Sequence, residues 1–77
     1  MKKYTLTVYI YDYRDNLKGS SYCVGSYETL EEALNEFASY TSINDFITSV
    51  ENDEYVILSV DSDEECSIKS KKFEWEE

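Results

Sequence analysis

The chain has 77 residues, 42% of them hydrophobic, with 17 acidic against 7 basic side chains and a formal net charge of −10. That length suits one domain, residues 1–77, with a small core. With no proline and two glycines it reads as neither linker nor disordered tail, and its charge disfavours direct binding to nucleic acid or anionic membrane, which requires cations against phosphate.

Residues 3–13, KYTLTVYIYDY, alternate. Tyr4, Leu6, Val8 and Ile10 fall on one face, and Thr5, Thr7, Tyr9, Tyr11 and Tyr13 on the other. This predicts a half-buried strand with its aliphatic side inward. RDNLKGSS reads as a turn. A hairpin partner is expected over residues 20–27, with Tyr22 and Val24 inward, because the other register buries Cys23 and Gly25 and little else.

The period then changes. Leu30, Ala33, Leu34, Phe37 and Ala38 recur at helical spacing. Thr29 with Glu32 forms a capping box, so a helix is expected over 30–40. Ile43, Phe46, Ile47 and Val50 repeat the spacing, with Ser42 and Asp45 as caps, which predicts a second short helix or a bent continuation. ENDE opens a loop. In YVILSVD, Val56, Leu58 and Val60 share a face opposite Tyr55 and Ile57. SDEE turns, and CSIKSKKFEW is a fourth strand whose parity slips: Cys66 and Ile68 share one face, Phe73 and Trp75 the other. A bulge near 70–72 is expected to reconcile them. The order predicts an α+β fold, a four-stranded antiparallel sheet with one or two helices packed on one face.

No apolar run approaches the roughly 20 residues that span a bilayer, and the start, MKKYTLTVYIYDYRD, has no continuous signal-peptide core. A cytoplasmic protein is expected, with Cys23 and Cys66 as reduced thiols.

Little points to catalysis. There is no histidine, which removes the commonest general base and metal ligand. Gly19 and Gly25 form no phosphate-cradling motif. Asp61, Asp63, Glu64 and Glu65 begin like a calcium loop, but Cys66 stands where such a loop needs glycine and Lys72 where it needs a bidentate acid. No enzyme, cofactor or metal is expected.

The charge is arranged as well as unbalanced. Between Gly19 and Ile68 lie twelve acidic residues and no Lys or Arg; Lys2, Lys3, Arg14 and Lys18 precede them, and Lys69, Lys71 and Lys72 follow. On the helix, Glu28, Glu32 and Glu36 are spaced by four with Glu31 alongside, a row with steps of about 6 Å. Asp53 and Glu54, then Asp61, Asp63, Glu64 and Glu65, are expected to extend it. Net charge alone serves solubility; segregation suggests a phosphate-like field offered to a cationic groove. Tyr9, Tyr11 and Tyr13 would supply an apolar anchor.

ETLEEALNEF and DSDEE, on a small acidic α+β chain, resemble the anti-defence proteins of phages and other mobile elements, the anti-CRISPR and DNA-mimic inhibitors. The resemblance implies stoichiometric blockade of a nucleic-acid-handling partner, a nuclease or surveillance complex, and carries over no catalytic residue. Two rivals stand beside it. One is a structural or regulatory interaction module, a monomer or a homodimer through the tyrosine face. The other is an enzyme using acidic residues and a divalent ion.

Overall fold

The computed structural model describes residues 3–19, 21–46 and 48–75. Strands β1 (Tyr4–Asp12) and β2 (Tyr22–Tyr27) are followed by helix α1 (Leu30–Ala38), a 3-10 turn (Ile43–Phe46), and strands β3 (Glu54–Ser62) and β4 (Lys69–Phe73). All neighbours are antiparallel, in the order β2-β1-β3-β4. The expected α+β architecture is the observed one.

The alternation in β1 decides which face is covered. Leu6, Val8 and Ile10 are fully buried opposite Val60, Leu58 and Val56. Ala33 and Phe37 of α1, with Ile43, Phe46, Val50 and Phe73, close over them. Burying each large side chain is worth about 1.5–3 kcal/mol, which makes this face the main source of stability. Among the described residues no helix packs on the opposite face.

Local chemistry sets the ends of α1. Thr29 is extended, and its hydroxyl oxygen accepts from the Glu32 N–H at 3.2 Å. At the other end the Ser39 hydroxyl donates to the Glu36 carbonyl at 2.6 Å, so the helix stops at Ala38, two residues short of the expected end. The second helix is reduced to the 3-10 turn. Asp45 accepts from the N–H groups of Thr41 and Ser42 at 2.8 and 3.1 Å and closes a tight turn there. Ile43, Phe46 and Val50 are buried as the spacing implied; Ile47, like Lys2 and Ser20, lies outside the described residues.

Two edges depart from expectation. In β2 the register slips between Leu6–Gly25 and Thr7–Cys23, leaving Val24 in a bulge from which it still packs against the core, as expected. Tyr22, Gly25 and Tyr27 therefore pair with the core-facing residues of β1, and Tyr22 is still 38% exposed. A Cβ on Gly25 would sit 3.1 Å from the Tyr27 hydroxyl, so this ring takes the space a side chain would fill. In β4 the bulge expected near 70–72 is absent: the pairing with β3 runs unbroken from Val56–Phe73 to Val60–Lys69. The parity change falls earlier, at Ser67, whose φ of 56° is left-handed.

Candidate partner-binding surface

The register fixes the ends of the sheet at which the strand-borne and strand-flanking carboxylates fall. Tyr4 pairs with both Tyr27 and Ser62, so the segments that leave β2 and β3 emerge on either side of the start of β1. Glu28, Glu31 and Glu32 therefore share one end of the molecule with Asp63, Glu64 and Glu65, and all six are exposed. Neighbouring strands are about 4.8 Å apart, so the chain leaves β2 toward one group and β3 toward the other at points roughly 10 Å apart across β1. Lys3 enters between them and lines a cavity of about 200 Å³ with Tyr4, Ser62, Asp63 and Glu64.

Asp12 pairs with Glu54 at the other end. Nine residues of β1 put that end about 27 Å away at roughly 3.3 Å per residue. Asp53 and Glu54 therefore do not extend the helix row as expected. Glu54 is also 5% exposed: it accepts from the Glu51 N–H at 2.9 Å and pairs with Lys18 at 3.6 Å. Its charge is spent inside the protein. Lys72 pairs with Glu74 at 3.2 Å near the same end. These two are the ion pairs among the described residues, and neither involves an acid of the first end.

Asp61 sits at the acidic end but on the helix-free face, and it too is occupied. It accepts from the Tyr9 hydroxyl at 2.9 Å, the Ser59 hydroxyl at 2.9 Å and the Ser67 N–H at 2.7 Å. That last bond holds the left-handed residue that starts β4. Burial, then the bond to Asp61, pushes the Tyr9 hydroxyl above its ordinary value. Glu36 is half-buried beside Tyr27 and Tyr40; burial first, and then its charge, raises both phenols.

The three tyrosines of the expected anchor are in different situations. Tyr11 is half-buried and stacks on Tyr55, ring centroids 5.4 Å apart. Tyr9 is bound to Asp61 as above. Tyr13 is 62% exposed at the hairpin tip, with its hydroxyl on the Asn52 carbonyl. A neighbour that sequence reasoning missed is Tyr55, which donates to Asp15 at 2.7 Å and is pushed up to about 12, chiefly by that bond and then by burial. Its parity placed it on the outer face; nothing in the sequence announced that the hairpin tip would bend over it.

The lysines of β4 stay along one edge. Lys69 and Lys71 stand opposite Val60 and Leu58 and lie over the rings of Phe37 and Phe73 at 5.6 and 5.3 Å, and Lys72 lies over Tyr55 at 4.4 Å. Glu51, Asp53 and Glu54 bring carboxylate oxygens within 4.8 Å of one another, but the partners of Glu54 already account for its oxygens. No helix among the described residues is long and apolar enough to cross a membrane. No protein-family model, curated protein or solved structure matches this chain.

Proposed function

We propose that this is an acidic binding protein that occupies the cationic, nucleic-acid-binding surface of a partner and blocks it stoichiometrically. One observation carries the reading. Two acidic segments more than thirty residues apart in sequence converge on one end of the sheet, and their six exposed carboxylates form no ion pair among the described residues. Glu28, Glu31 and Glu32 with Asp63, Glu64 and Glu65 would meet Lys or Arg of the partner. Like charges so placed cost the fold something, roughly 0.2–0.5 kcal/mol for each helical pair at i, i+4. A field of one sign steers association to a surface of the other. The tyrosine anchor drops out of the proposal at this end: Tyr9 and Tyr11 are already engaged, and Tyr13, with its hydroxyl on Asn52, lies at the opposite end of β1.

The test is affinity capture from a bacterial lysate with salt-graded elution. The reading expects a basic partner that is released as salt rises and displaced by DNA or RNA. Glu28→Lys, Glu31→Lys and Glu32→Lys together should abolish capture, whereas Asp53→Lys at the other end should not. Capture that survives the triple reversal, or that ignores salt, removes the acidic end as the site.

A further inference from the structure

The sheet has two open edges, and they are guarded differently. An edge strand offers unpaired N–H and C=O groups to any other strand, and proteins commonly blunt this with lysines, proline or a bulge. On β4, residues 69–72 read KSKK and all four are exposed. On β2 there is no charge at all. Gly19–Tyr27, GSSYCVGSY, is the longest uncharged run in a chain that is 31% charged. Among the described residues it is blunted by the bulge at Val24. Along the strand Cys23 and Ser26 are exposed, and Tyr22 is 38% exposed on the core-facing side.

We infer that β2 is the edge through which two copies of this chain pair, antiparallel and about a two-fold axis, into one continuous eight-stranded sheet. Three features select a second copy as the occupant. A two-fold contact uses the same patch twice, and one strand paired antiparallel with itself satisfies this with backbone groups alone. A molecule of net charge −10 can approach its own copy closely only where its surface is uncharged, and β2 is the uncharged edge. Antiparallel pairing also reverses the second molecule, so the acidic ends diverge. The two Glu28 residues, each one position beyond Tyr27, would stand about 20 Å apart at roughly 3.3 Å per residue. That exceeds the screening length of about 8 Å at physiological ionic strength. Each copy still carries a net charge of −10, and screening of that repulsion as salt rises should favour the dimer. This is opposite in sign to the salt dependence of the proposed partner contact, and the two readings can fail separately.

The test is sedimentation equilibrium of the full chain under reductant, from about 0.05 to about 0.5 M salt. The expected result is a mass that doubles from 9.0 kDa as salt and concentration rise. Cys23→Lys with Ser26→Lys copies the guard of β4 onto β2. It lowers the net negative charge, so a change in net charge alone would strengthen association; edge pairing predicts at least about tenfold weaker dimerisation instead. Amide exchange supplies the second readout, with the amides of residues 22–27 more protected in concentrated than in dilute wild-type samples. A wild-type chain that stays monomeric throughout overturns the inference. So does a dimer that persists in the folded double-lysine variant, one that forms only when reductant is left out, or one lost instead with Tyr11→Ser on the outer face.

Discussion

The two ends of the sheet use the same side chains to different ends. At the hairpin end several charges are paired or capped: Glu54 with Lys18, Glu74 with Lys72, and Asp12 accepting from the N–H groups of Arg14 and Asn16 at 2.9 and 3.0 Å. At the helix-start end, Glu28, Glu31, Glu32, Asp63, Glu64 and Glu65 stand exposed, with Lys3 beside Asp63 and Glu64. The first end joins acids into ion pairs; at the second, Asp61 and the capping oxygen of Glu32 serve the fold, and the exposed acids form no ion pair among the described residues. Counting acids does not separate these uses; hydrogen-bond partners do.

The comparison is broken most directly by charge reversal. Glu28→Lys, Glu31→Lys and Glu32→Lys should weaken partner capture by at least about a hundredfold, since like-charge contacts cost several kcal/mol; Glu28→Lys with Glu31→Lys, which spares the Thr29–Glu32 cap, should weaken it while the circular dichroism spectrum keeps its helical signal. Next in size is Asp61→Ala, which strips an acceptor from Tyr9, Ser59 and Ser67. A loss of about 2–3 kcal/mol is expected in urea melts, with earlier amide exchange across residues 63–68. Glu54→Ala leaves the Glu51 N–H unanswered and should cost about 2 kcal/mol, a fall in Tm of roughly 10 °C. Glu64→Gln at the exposed end should leave Tm unchanged; a large fall there would mean that this end also supports the fold.

The smallest effects are in pH. Tyr55 is pushed up to about 12 from 10.0. A group with a raised folded value contributes stability that is complete below 10.0 and lost as pH rises toward about 12. Ultraviolet titration should show a tyrosine ionising near the top of that window, and Asp15→Asn should bring it back toward 10.0. Asp12 and Asp45 are lowered by backbone N–H donors. Their contribution is present above the ordinary value of 3.8 and disappears as pH falls through the lower folded one, so the hairpin tip and the 3-10 turn should loosen together in acid.

How far the sequence revealed this depended on whether a pattern was local. β1 and β3 alternate over buried aliphatics, and α1 carries its own cap, so these elements were legible. β4 was not. Its core-facing positions are Lys69 and Lys71, whose long stems lie over aromatic rings, and a binary pattern scores such residues as solvent-facing. β2 was half legible, because a bulge lets both candidate registers be partly true. In the candidate site, the union of Glu28–Glu32 with Asp63–Glu65 and the removal of Glu54 both follow from strand pairing, which composition does not carry.

The central pair of the sheet also bears on how the chain folds. Val8 meets Leu58 across it, residues about fifty positions apart. The β1–β2 hairpin and α1 can form early from local contacts, but neither buries Leu6, Val8 and Ile10 on its own. The cooperative step waits until β3 has been synthesised, and closing so long a loop before any reward places this small domain among slow folders. Until then β1 presents a bare apolar strand beside the uncharged β2, the interval in which the nascent chain is most exposed to chaperones and proteases.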